Sequence, residues 1–81
     1  MEITAAQCRA ARGLLGWSQT QLAEAAAVSI KTVSDLEGGK RVHHDRTVSD
    51  IRRTLEKAGI QFIPKRNGAG VGVRFKDSAG E

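Results

Sequence analysis

A mainly α fold, four short helices closed by a C-terminal β-hairpin, is what this 81-residue chain predicts. Three observations carry the expectation. A hydroxyl residue with capping character stands before three segments of helical apolar spacing, at Thr4, Ser18 and Ser29. Val48, Ile51, Leu55 and Ala58 follow the i, i+3, i+7 pattern of a fourth. Beyond Gly59 the apolar period drops to two, as strands require.

The first helix is predicted to open at Thr4. Thr4 and Gln7 form a T-x-x-Q capping box, and Ile3 can staple onto Cys8 across it. Cys8, Ala11 and Leu15 make its apolar stripe, and Gly16 suits the stop. The second helix opens with the S-x-x-Q box of Ser18 and Gln21, flanked by Trp17 and Leu22 as a staple pair. Its run Ala25-Ala26-Ala27 lacks bulk, so another helix can pack close. The third helix opens at Ser29, with Val28 stapling onto Val33, and stops at Gly38-Gly39. Val33 and Leu36 face the core, and Ile30, Lys31, Ser34 and Asp35 face away.

A loop from Lys40 to His44 leads to the fourth helix, capped by Asp45 or Thr47 and ended by Gly59. Arg46, Arg52, Arg53 and Lys57 mark its outer face. Ile60 and Phe62, then Val71, Val73 and Phe75, alternate as two strands around the turn formers of residues 64–70. A lone hairpin is marginal in water, so it should pack on the helices, pair with a second copy, or both. The expected organisation is a helical domain over residues 1–59, the hairpin over 60–76 and a frayed tail over 77–81.

Composition narrows the function. Lys and Arg number 13 against nine acidic residues, a formal charge of +4, which favours an anionic partner without naming one. Residues 1–27 cancel, and the excess begins where the third helix begins. With Cys8 as the single cysteine there is no intrachain disulfide and no cysteine cluster for zinc. No secretory signal and no apolar run near the roughly 20 residues of a bilayer span is visible, so a cytoplasmic protein is the simplest reading. A core this small makes dimerisation an unsurprising source of stability.

The segment from Trp17 to Glu37, two capped helices and a tight turn followed by Lys40-Arg41, is a unit that most often presents its second helix to the major groove of DNA. Gly16-Trp17-Ser18-Gln19-x-x-Leu22-Ala23-Glu24 followed by Val28-Ser29-x-x-Thr32-Val33-x-x-Leu36-Glu37-x-Gly39-Lys40-Arg41 resembles the Cro/phage-repressor-type helix-turn-helix, the XRE family. The resemblance covers roughly residues 4 to 58 and implies a lambda-repressor-like domain with a DNA-reading third helix. It assigns Gln19 to a phosphate, Ala23 to the close crossing of two helices, and Ile30, Lys31, Ser34 and Asp35 to the exposed recognition face. Lys40 and Arg41 match the family's basic loop near the backbone. Two departures stand out: Ala27 occupies a turn position that is usually Gly, and residues 42–45 lack the common proline. A left-handed Ala27 would cost about 1 kcal/mol relative to Gly, so a slightly reshaped turn is expected there.

The candidate DNA-binding set is therefore Gln19, Ser29, Ile30, Lys31, Thr32, Ser34, Asp35, Lys40 and Arg41. Lys31 can donate to guanine, Ile30 can touch a thymine methyl, Ser34 can bond several base edges, and Asp35 can accept from cytosine N4. Asp35 also repels phosphate, so its alternative role is to hold Lys31 at i, i+4. Lys40, Arg41 and Arg46 can neutralise phosphates and fix register without reading sequence. Lys65 and Arg66 at the hairpin tip are either a wing on the DNA backbone or plain surface.

Other motifs yield less. Trp17 reads as a core staple and Cys8 as packed and inert. His43-His44-Asp45 reads as a surface loop, because adjacent side chains rarely converge on one metal. The glycines at 68, 70 and 72 precede a strand, not the helix a dinucleotide fingerprint needs. No nucleophile with a base and no paired acid stands out. No enzyme activity, cofactor or metal is expected.

Two functional expectations follow. The first is a sequence-specific regulator on double-stranded, palindromic DNA, a repressor acting as a homodimer through Ile60, Phe62, Val71, Val73 and Phe75 of the hairpin. The second keeps the fold but makes the protein an antitoxin or accessory module whose hairpin pairs with another protein. Neither involves a membrane.

Overall fold

The computed structural model describes residues 2–40 and 45–77. In chain order it has helices α1 (Ala5–Leu15), α2 (Gln19–Ala26), α3 (Ile30–Glu37) and α4 (Asp45–Lys57), then strands β1 (Ile60–Ile63) and β2 (Gly72–Phe75). The mainly helical architecture with a C-terminal hairpin is as the sequence predicts.

The three N-terminal caps form as spaced. Thr4 and Ser18 each accept from the backbone N–H three residues on, and the Gln7 and Gln21 side chains each accept from the cap's own N–H. Ser29 caps α3 through the N–H of Thr32, 3.1 Å away. These caps satisfy donors that each helix start would otherwise leave unpaired. Helix α1 ends in Gly16 at φ 70°. Helix α2 ends in Ala27 at φ 57°, ψ 43°, so an alanine does adopt the left-handed turn. Helix α4 is already formed at Asp45, so both expected caps, Asp45 and Thr47, lie in its first turn.

The core gathers Cys8 and Ala11 of α1, Leu22 and Ala23 of α2, Val33 and Leu36 of α3, and Val48, Ile51 and Leu55 of α4. Ile3, Ile60 and Phe62 complete it, and Trp17 and Val28 pack on its margin. Helices α2 and α3 pack on each other, and Ala23 of α2 is buried in the core. Among the described residues no helix is long and apolar enough to cross a membrane.

The hairpin pairs Ile60 with Phe75, Gln61 with Arg74, Phe62 with Val73 and Ile63 with Gly72. Its tip is closed by reciprocal backbone bonds between Arg66 and Ala69 around Asn67 (φ 52°) and Gly68 (φ 81°). Two successive positive φ values match the right-handed strand twist of a tight hairpin. Strand β2 lies on α1 and β1 on α4. Gln7 fastens the seam: its amide nitrogen donates to the carbonyls of Ile63 (3.3 Å) and Gly72 (3.0 Å), while its oxygen serves the Thr4 cap.

This packing corrects one expectation. Ile60 is fully buried and Phe62 is 7% exposed within a single copy, because their face of the hairpin rests on the protein's own helices. They are committed to that core and do not await a partner. Val73 and Phe75 share that face and stay half-buried, and Val71 is exposed.

Candidate nucleic-acid interface

Helix α3 has two faces with different fates. Val33 and Leu36 anchor it in the core. Ser29, Ile30, Lys31 and Ser34 are exposed, and Thr32 is half-buried. Ile30 is a branched apolar side chain left 50% exposed. The Ser29 and Thr32 hydroxyls lie 2.8 Å apart, which orders the first turn.

Asp35 takes the second of its two expected roles, holding Lys31 at i, i+4. It is buried, with 8% of its surface exposed, and does not project from the face as a free acceptor. Its carboxylate accepts from Lys31 Nζ at 2.8 Å and lies 3.7 Å from Lys40 Nζ. The hydrogen bond from Lys31 is the main cause holding its pKa below the ordinary carboxylate value. Asp35 therefore orients two lysines whose own side chains remain largely in solvent, 79% for Lys31 and 69% for Lys40. Such exposed pairs are worth little in stability. Their consequence is geometric: two ammonium groups flank the outer side of α3, held by one anion.

The inner side of α3 is fixed by a residue the sequence reading passed over. Glu37 is buried and receives a forked pair from Arg12 of α1, Nε and Nη2 both at 2.7 Å. Gln19 at the start of α2 donates to the same carboxylate at 3.2 Å, and the Cys8 thiol does so at 3.2 Å. Arg9 bonds the Glu37 carbonyl, and Arg12 Nη1 the carbonyl of Trp17 at 2.9 Å. Burial works to raise the Glu37 pKa, but the bonds from Arg12, Gln19 and Cys8 outweigh it and the value is lowered. Desolvation, reinforced by the neighbouring carboxylate, pushes the Cys8 thiol well up, consistent with an inert packed thiol. Arg12 is raised by its bond to Glu37.

Glu37 thus ties the start of α2 and the end of α3 to α1. Gln19, expected at a phosphate, is half-buried with its amide engaged by this carboxylate. Its position relative to α3 is therefore set before any ligand arrives. A signal was present in the sequence: acidic Glu37 falls one helical step from Val33 on the apolar side, where an anion needs a buried cation.

Of the nine candidates, the structure gathers Ser29, Ile30, Lys31, Thr32 and Ser34 on α3, with Lys40 just past its end. Gln19 lies across the helix junction, bonded to Glu37 at the end of α3. Arg41, with His43 and His44, lies outside the described residues. Arg46 is exposed at the start of α4. Lys65 and Arg66 are exposed at the hairpin tip, on an element that packs on α1 and α4.

Two capped helices packed on each other, the second projecting a polar face with flanking cations, define a helix-turn-helix. The family model described as a helix-turn-helix domain matches residues 4–60, and the chain belongs to that family. DNA binding is the property this domain brings. No curated protein matches the chain.

Proposed function

We propose that the protein is a sequence-specific, double-stranded DNA-binding transcriptional regulator of the XRE type. It acts as a homodimer, with α3 of each copy in the major groove, and represses by occupying a promoter in the cytoplasm. The observation that carries this reading is the division of α3. Its inner face is locked by Glu37 and the core, while Ile30, Lys31 and Ser34 stand outward on a rigid element. A rigidly held helix presenting one apolar, one cationic and one hydroxyl group suits the donor, acceptor and methyl pattern of base edges.

In this reading Lys31 donates to a base, Ile30 meets a thymine methyl and Ser34 contacts a neighbouring edge. Gln19, Lys40 and Arg41 fix register on phosphates, and Ser29 and Thr32 shape the first turn. Asp35 positions Lys31 and Lys40 and does not itself read a base. Selection from a random double-stranded pool at near-physiological salt tests the proposal. Recovery of a palindrome with half-sites about one helical turn (about 34 Å) apart supports it. Failure of the folded protein to enrich any sequence overturns it.

A further inference from the structure

The hairpin has two outer edges, and they are not equivalent. Gln7 donates from one nitrogen to the carbonyls of both Ile63 and Gly72, so those two carbonyls point between the strands, toward each other. Lys76 N–H likewise bonds the Gly59 carbonyl at 2.8 Å, two steps further along the same alternation. By the alternation of an antiparallel ladder, the backbone groups of Ile60 and Phe62 point out from β1, and those of Val73 and Phe75 point out from β2. On the β1 side the next outward position is Pro64, which has no N–H to offer a further strand. The β2 side carries no such block. Among the described residues no hydrogen bond reaches the backbone of Val73 or Phe75 from that edge.

Two glycines beside this edge have no explanation within one copy. Gly70 and Gly72 are not at positive φ. A Cβ on Gly70 would meet nothing within 4 Å, and one on Gly72 only the Ile63 side chain at 3.7 Å, an ordinary contact. Larger residues fit both places in the isolated fold. Gly72 shares the outer face of the hairpin with Gln61 and Arg74, as the register requires.

We infer that β2 is the dimer seam, pairing antiparallel with β2 of a second copy of this chain about a two-fold axis at Val73. This deepens the homodimer reading proposed above and rests on it. In that register Val73 faces Val73, each with outward backbone groups, and Phe75 faces Val71, just before the strand begins. Arg74 then falls opposite Gly72 of the partner subunit, and Lys76 opposite Gly70. Each cation meets a residue with no side chain, and no two cations stand directly opposed. Both glycines acquire a reason. The sheet becomes four-stranded in the order β1-β2-β2-β1, with blocked edges outside. Below it, the exposed groove lined by Ala6, Ala10, Val71 and Val73 lies next to the same edge, and the small side chains of α1 let the second α1 approach.

Charge placed at Gly72 tests the register without DNA, so failure here and failure of the DNA-binding reading are separable. In sedimentation of the full chain, with folding checked by circular dichroism, Gly72→Arg sets like charges opposite Arg74 at two symmetric places and weakens the dimer about tenfold, whereas Gly72→Glu does not weaken it. Oxidising an equimolar mixture of Gly72→Cys and Arg74→Cys chains links them, because directly opposed residues of a non-hydrogen-bonded pair lie within disulfide reach, and neither variant alone links. A wild-type chain that stays monomeric at high concentration overturns the inference and leaves the edge to a different protein. So does a dimer indifferent to both charges, or cross-linking that does not require the mixture.

Discussion

Replacing Glu37 by Gln removes the one buried anion that three elements share. The wild-type carboxylate accepts two bonds from Arg12 at 2.7 Å, one from Gln19 and one from Cys8, both at 3.2 Å. The glutamine keeps the shape but leaves the Arg12 guanidinium without a counter-charge. Its side chain is only 20% exposed. Breaking a buried ion pair from one side costs about 3–5 kcal/mol, and the partial access of Arg12 to water places this one near about 3 kcal/mol. A domain of this length has on the order of 4–12 kcal/mol in total, so the loss is a large share of its stability. Urea unfolding should show it as a lower midpoint at unchanged slope.

The effect has a pH signature. The folded pKa of Glu37 is depressed, so its stabilisation is fully present above the ordinary value of 4.5 and is lost as pH falls through the lowered native value. The wild-type advantage over Glu37→Gln should therefore shrink on acidification below about pH 4.5. A double replacement, Arg12→Met with Glu37→Leu, should recover part of the loss, since matched apolar groups replace buried pairs at little cost. A loss under about 1 kcal/mol, or single-variant losses that simply add in the double, would refute the reasoning.

Three other outcomes are expected. Lys31→Ala should relax base preference at one operator position, at a cost of about 1–3 kcal/mol measured by competition with altered sites; equal losses on every sequence would contradict base reading. Lys40→Ala should weaken binding to all sequences alike and make the salt dependence shallower by about one unit, checked by titrations across a salt series. Ala27→Gly should raise the unfolding midpoint, because it relieves a left-handed alanine worth about 1 kcal/mol, less the added freedom of the unfolded glycine; thermal melting decides it.

Local chemistry made much of this fold legible. Thr4, Ser18 and Ser29 act through backbone groups three residues away, so their caps could be read from spacing alone. The same holds for the hairpin tip, where Asn67 and Gly68 adopt the positive φ their types permit. The left-handed conformation of Ala27 was not legible: the residue's own preference pointed to a reshaped turn, and the chain keeps the left-handed one. Contacts between distant segments could not be read in this way. Gln7 meets residues 56 and 65 positions away, and Glu37 meets Arg12 across 25. The burial of Ile60 and Phe62 depended on where the hairpin lies, which alternation does not specify. The pairing of Asp35 with Lys31 could be read from spacing, but its burial could not: the carboxylate lies against both Lys31 and Lys40.

The proposal stands on DNA reading by the outward face of α3. Backbone amide shifts, followed by NMR as a selected duplex is added, test this most directly. The account predicts large shifts over residues 29–34, with Gln19 and Lys40. Large shifts confined to the hairpin tip, with α3 unmoved, would contradict it.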